Sequence, residues 1–228
     1  MNKPDIKGIR AFVFDAYGTV FDFSSVAAPF PEGHDWRFDR LVSVWREKQL
    51  QYTWLRTVEG AYADFWQITE EALEFAMDFV GMDDLALRND LRDRFLELDA
   101  FPEASDTMRR LKAAGIRTAI LSNGTLKMLV SVVKRTGIDL FLDAVLSVDE
   151  VRVYKPHPRA YQLAVDRMGI EPDAVAYVSS NGWDVLGASF FGFRSVWCNR
   201  QALPPERLPG APAMTVTSLE DIPNLLEV

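Results

Sequence analysis

The spacing of the apolar runs constrains this chain more than any other feature. Ile9–Phe14 (IRAFVF) is short and rich in β-branched and aromatic residues, the pattern of a strand buried on both faces. It stops abruptly at Asp15-Ala16-Tyr17-Gly18-Thr19. No convincing strand follows between residues 23 and 98. Instead Phe38, Leu41, Val42, Trp45, Gln49, Tyr52 and Leu55 recur at helical spacing and predict one long amphipathic helix from about residue 34. Further helices are expected near 59–67, over 69–80 (opened by Thr69, with Glu70 and Glu71 in the first turn) and over 84–98.

Alternation then begins. Helices are expected at 104–114 (stopped by Gly115), 126–136, 159–168 and 184–191, with strands at 118–121, 144–147, 175–178, 195–198 and weakly at 215–217. The Pro-rich stretch 203–212 reads as a surface loop. Strands alternating with helices imply a parallel sheet covered on both faces, an α/β, Rossmann-like core. At 228 residues this is one large domain, or a core with an insertion, able to bury about 70–75% of its unfolded surface without disulfide or structural metal.

Charge and cysteine content exclude several classes. Lys plus Arg is 25 against 33 for Asp plus Glu, a net charge of −8 with no basic run, so nucleic acid is not an expected partner. The single cysteine, Cys198, permits no internal disulfide and is expected to be buried packing. No run of 18 apolar residues offers a membrane span. Met1–Lys7 lacks the apolar core of a secretory leader, so cytoplasmic localisation is expected and the sequon Asn123-Gly124-Thr125 reads as coincidence.

The polar chemistry gathers where strands end. Asp15 follows the first strand, Ser122-Asn123 the second, and Ser179-Ser180-Asn181 the strand ending at Val178, with Asp184 just inside the next helix. Lys155-Pro156 lies in the loop after the 144–147 strand. In an open parallel sheet this carboxyl edge is where ligands bind.

Asp15-x-Tyr17-Gly18-Thr19, Ser122-Asn123-Gly124, Tyr154-Lys155-Pro156 and Ser179-Ser180-Asn181-x-x-Asp184 resemble, in order, the four motifs of the haloacid dehalogenase superfamily. Trp45-Arg46-x-Lys48-Gln49-Leu50 and Tyr52-Thr53-Trp54-Leu55-Arg56 are similar to the cap signature of its L-2-haloacid dehalogenase (type II) branch. The resemblance implies a catalytic core over 1–22 and 99–228, an inserted all-helical cap over 23–98, no cofactor, no metal, and a homodimer acting on small halogenated carboxylates. It also implies hydrolysis of L-2-haloacids to D-2-hydroxyacids through an aspartyl ester, with inversion at the α-carbon.

In that reading Asp15 is the nucleophile, oriented by Thr19 and kept ionised by Lys155. Ser122 holds the substrate carboxylate, Arg46 receives the departing halide, and Asn123 assists at either end. Asp184 activates the hydrolytic water, Ser179 and Asn181 hold the arrangement, and Tyr161 supports it. Tyr17, Leu50, Phe65 and Trp183 wall the substrate's alkyl group. His34 and His157 sit in no triad or metal-ligand spacing, and no Gly-x-Ser-x-Gly is present for a serine hydrolase. Two alternatives stay open: a Mg²⁺-dependent small-molecule phosphatase, against which Tyr17 replaces the usual second aspartate, and a non-catalytic small-anion binder.

Overall fold

A computed structural model describes residues 8–26 and 36–227. Its sheet comprises β1 (Ala11–Phe14), β2 (Arg117–Ser122), β3 (Ala144–Ser147), β4 (Val175–Ser179), β5 (Arg194–Cys198) and β6 (Met214–Val216). Every pairing is parallel and the order is β3-β2-β1-β4-β5-β6. All four residues of β1 and all five of β4 are buried, which is why these runs are apolar on both faces. The helices α1 (Trp36–Glu59), α2 (Phe65–Val80) and α3 (Leu85–Phe95) lie between β1 and β2 in the chain. The helices α4 (Ala104–Ala113), α5 (Leu126–Thr136), α6 (Pro158–Met168) and α7 (Gly182–Phe191) pack against the sheet.

The strand order creates the site. After β1 the chain builds β2 and β3 on one side, and α6 then carries it back to β4, β5 and β6 on the other. Phe14 is level with Ile120 of β2 and with Val178 of β4, so Asp15 emerges between the ends of both neighbours. That is the topological switch point of an open α/β sheet.

The helical segment leaves and rejoins the sheet side by side. Asp22 N donates to Asp99 O at 2.8 Å, and Phe101 N donates to Val20 O at 2.9 Å. Inside the segment Trp45 is fully buried, its ring 5.8 Å from Phe23 and 5.7 Å from Phe95.

Three expectations need correction. No separate helix forms at 59–67: α1 runs to Glu59, residues 60–64 are not helical, and α2 begins at Phe65, opened by Asp64, whose side chain accepts from Gln67 N. Thr69 does not open it. The residue sits fully buried one turn inside and donates its hydroxyl to Phe65 O at 2.6 Å. Thr-Glu-Glu imitates a helix start, but a threonine can equally spend its hydroxyl on the carbonyl four residues back. The buried stripe of α1 runs through Gln49 and Thr53 rather than Leu55, which is 49% exposed. The helix expected to reach 98 stops at Phe95. His34 lies outside the described residues, and His157 caps α6, its Nδ1 accepting from Arg159 N.

Candidate active site

The turn after β1 is built to present one carboxylate. The amides of Thr19, Val20 and Phe21 all donate to Ala16 O, and Gly18 supplies the positive φ of 88° that the reversal needs. This brings the Thr19 hydroxyl back to Asp15 Oδ2 at 3.0 Å. Asn181, between β4 and α7, donates its amide nitrogen to the same oxygen at 2.9 Å, and Ser179 Oγ lies 3.4 Å away.

Lys155 takes the other oxygen. Its Nζ is 2.7 Å from Asp15 Oδ1 and 2.8 Å from Asp184 Oδ2, and the side chain is essentially excluded from solvent. Burial works against the ammonium, but the two carboxylates outweigh it, so the Lys155 pKa is raised above its ordinary value. Nζ also donates to Tyr177 OH at 2.8 Å, and that hydroxyl donates onward to Asp184 Oδ2 at 2.8 Å. Tyr161 OH donates to Asp184 Oδ1 at 2.8 Å. Asp184 is thus fully buried with both oxygens engaged, and burial raises its pKa while Lys155 opposes the rise.

A small cleft opens in front of Asp15, lined by Tyr17, Arg46, Leu50, Phe65, Ser122, Asn123, Lys155, Asn181 and Trp183. Arg46 and Leu50 arrive on α1, Phe65 on α2 and Trp183 on the first turn of α7; the others come from the strand ends and the loops that follow them. Arg46 donates to Gln49 Oε1 at 2.6 Å and to Tyr17 O at 3.4 Å. Burial lowers its pKa and the charge of Asp15 opposes that fall; a guanidinium stays protonated regardless. Ser122 Oγ accepts from Gly124 N at 3.1 Å, while the N-cap of α5 is Thr125, so Ser122 is not a helix cap. Asn123 commits its Oδ1 to Lys155 N at 3.1 Å, which leaves only its Nδ2 to meet an anion. The Tyr17 hydroxyl and the Trp183 indole N–H are buried without a hydrogen-bond partner among the described residues. Burial holds the Tyr17 phenol well above its usual pKa, so it is neutral and able to donate.

The sequence-derived residues therefore fall into two layers. Asp15, Tyr17, Arg46, Leu50, Phe65, Ser122, Asn123, Lys155, Asn181 and Trp183 face the cleft; Thr19, Tyr161, Ser179 and Asp184 stand behind it. Sequence reading missed three further members. Tyr177 bridges Lys155 and Asp184 from inside β4, where an aromatic in an apolar strand reads as packing. Gln49 receives Arg46. Arg200 donates to Thr19 O at 3.2 Å, pairs with Glu103 at 2.5 Å and lies 3.8 Å over the Phe101 ring. Gln49 was signalled by its place inside a helical stripe and in the cap signature, and Arg200 only as a basic residue just past a strand end.

The donor set does not suit a hard divalent cation. Such an ion wants several carboxylate or other oxygen ligands, but Asp15 and Asp184 already share an ammonium and Tyr17 stands where a second acid would be. Among the described residues no group of three or more His, Cys, Asp or Glu is arranged to hold a metal ion.

Known proteins share this arrangement of chain. The family model "Hydrolase: haloacid dehalogenase-like hydrolase" matches residues 9–192. (S)-2-haloacid dehalogenase 1 of Pseudomonas sp. (strain CBS-3) is 45% identical over 219 residues, 96% of each chain. Haloacetate dehalogenase H-2 of Moraxella sp. (strain B) is 37% identical, covering 98% of this chain and all of the other. The solved L-2-haloacid dehalogenase of Xanthobacter autotrophicus with chloropropionic acid covalently bound superposes with a TM-score of 0.87 at 37% identity, over 96% of this chain and 98% of that one. The chain belongs to the haloacid dehalogenase-like hydrolases, and within them to the L-2-haloacid dehalogenases.

Proposed function

We propose that this chain hydrolyses short-chain L-2-haloacids to D-2-hydroxyacids and halide without a metal ion, through an ester on Asp15, in the cytoplasm and as a homodimer. One observation carries the reading. A buried carboxylate, held by Thr19, Asn181 and Lys155, faces a small cleft that Arg46 also lines.

In the first step a lone pair on Asp15 attacks the α-carbon from behind the halogen; the carbon–oxygen bond forms as the carbon–halogen bond breaks, and halide leaves toward Arg46. Ser122 and the nearby amides hold the substrate carboxylate, while Tyr17, Leu50, Phe65 and Trp183 exclude stray water from the alkyl side. Oδ1, with one donor, is free to attack; Oδ2 keeps the Thr19 and Asn181 donors and becomes the ester carbonyl oxygen. In the second step water adds to the Asp15 carboxyl carbon, and those donors receive the charge that develops on Oδ2. Esterification removes one of the two carboxylates around Lys155, leaving Asp184 as the anionic acceptor for the water's proton. The bond between the carboxyl carbon and Oδ1 then breaks, Oδ1 departs as the hydroxyl oxygen of the product, the alkoxide takes up a proton that the water supplied, and the water oxygen remains in the Asp15 carboxylate. Inversion from the first step survives because the α-carbon is untouched in the second.

The segment 23–98 serves in this reading as a cap on the core of 1–22 and 99–228, since α1 and α2 supply Arg46, Leu50 and Phe65 to the cleft. Exposed Leu55, Val58, Phe75 and Phe79 on α1 and α2 support a face for the second copy. The deciding experiment treats metal-free enzyme with racemic 2-chloropropionate, with and without EDTA. Chloride release that stops when the L enantiomer is consumed, at the same rate with EDTA, is expected. Loss of activity with EDTA and its return with Mg²⁺ would overturn the metal-free mechanism, and absence of chloride release would overturn the function.

A further inference from the structure

The reading of Arg46 as the halide acceptor raises the question of what fixes its guanidinium. We propose that Gln49 and Thr69 are positioning residues for Arg46, forming a one-directional hydrogen-bond relay that sets its aim at the leaving halide. This proposal rests on the function proposed above.

The chain of donors runs from α1 into α2. Arg46 Nη1 donates to Gln49 Oε1 at 2.6 Å, Gln49 Nε2 donates to Thr69 Oγ1 at 2.7 Å, and Thr69 donates to Phe65 O at 2.6 Å. Gln49 and Thr69 are both fully excluded from solvent. Direction follows from the far end. The Thr69 hydroxyl has a single proton, committed to Phe65 O, so toward Gln49 it can only accept. Gln49 must therefore present its NH₂ to Thr69 and its carbonyl oxygen to Arg46. Thr69 is itself anchored from α1, because the Trp45 indole donates to its carbonyl at 2.8 Å. Without the hydroxyl, either a buried NH₂ loses its partner or the amide turns and sets donor against donor at Arg46. Both outcomes loosen the guanidinium without touching the groups at Ser122 that hold the carboxylate.

The test uses Thr69→Val, which keeps the shape and removes the hydroxyl, with Thr69→Ser as the conservative rescue. L-2-chloropropionate and L-2-bromopropionate are the substrates, and ester formation on Asp15 is followed by rapid quench and mass spectrometry. The expected result is a fall in the ester-forming rate of about 100-fold on the chloro substrate, the scale of a 1 Å misplacement, and a smaller fall on the bromo substrate. KM should hardly move, and Thr69→Ser should recover most of the rate. A poorer leaving group leans harder on Arg46, and a merely structural defect would not discriminate between halogens. Equal falls on both substrates with no recovery in Thr69→Ser, or rates unchanged from the parent, would overturn the relay. A second readout does not depend on turnover: bromide quenching of tryptophan fluorescence should require higher bromide in Thr69→Val and return to normal in Thr69→Ser. Unchanged quenching would overturn the relay, whereas a parent enzyme that quenches normally but forms no ester would overturn the proposed function instead.

Discussion

The Nζ of Lys155 lies 2.7 Å from Oδ1 of Asp15, a contact between residues 140 apart in sequence. The same nitrogen lies 2.8 Å from Asp184. One buried cation thus serves two buried carboxylates, and the site's electrostatics follow from that imbalance.

Replacing Lys155 by Met leaves Asp15 and Asp184 buried without a counter-charge. Stability should fall by about 3–5 kcal/mol, the cost of breaking a buried pair from one side. Turnover should vanish. Urea denaturation of the folded variant measures the first, and a variant as stable as the parent would show that the carboxylates are compensated from elsewhere.

The pH dependence of that difference has a definite sign. The folded-state pKa of Lys155 is raised above its unfolded value of about 10.4. Its stabilisation is therefore fully present below about pH 10 and lost as pH rises through the folded value. The gap in Tm between the parent and Lys155→Met should shrink on the alkaline side of that limit, and also at acid pH where the two carboxylates are protonated and no longer need a counter-charge. Asp184 has the same sign in a lower pH range: burial raises its pKa, so the folded state takes up a proton before the unfolded chain as pH falls, and the acid limb of the rate should lie above that of an ordinary aspartate. A rate profile and thermal melts on the same samples check both signs.

Asp15→Asn should retain the fold and lose turnover, since an amide cannot form the ester. In the parent, a single turnover in heavy-oxygen water should place the label in the Asp15 peptide, because water adds to the carboxyl carbon. Label appearing directly in the hydroxyacid would point to direct attack by water on the α-carbon.

Gly124→Ala should disturb the cleft through Tyr17. A Cβ at Gly124 would stand 2.8 Å from Cε2 and 2.9 Å from the hydroxyl of Tyr17. That ring is packed between Phe65 (6.0 Å) and Phe95 (5.2 Å), so it has little room to yield. The expected effect is a stability loss of about 1–3 kcal/mol, as for other overpacked sites, with a raised KM for haloacid. Thermal melts and steady-state kinetics measure the two, and an unchanged KM would show that Tyr17 does not shape the substrate's space.

Much of this molecule is written in local pattern. β1 reads as a doubly buried strand because Ala11–Phe14 carries no polar residue, and the strand ends at Asp15, Ser122 and Ser179 are legible where such runs stop. Parallel pairing then forces those ends to one edge whatever lies between them. The helical insertion is legible from the period of α1, with Trp45 and Gln49 on its buried stripe.

Tertiary structure decided the rest, because each remaining feature depends on partners distant in sequence. Thr69 looks like a helix start until Gln49, 20 residues away, claims its hydroxyl. Tyr177 looks like strand packing until Lys155 and Asp184 close around it. Arg200 reaches Thr19 across 181 residues. A sequence displays periodicity and local polarity, which fix elements and their ends. The direction of a buried hydrogen bond, and which of two carboxylates a cation serves, are set only when desolvation forces distant polar groups to find one another.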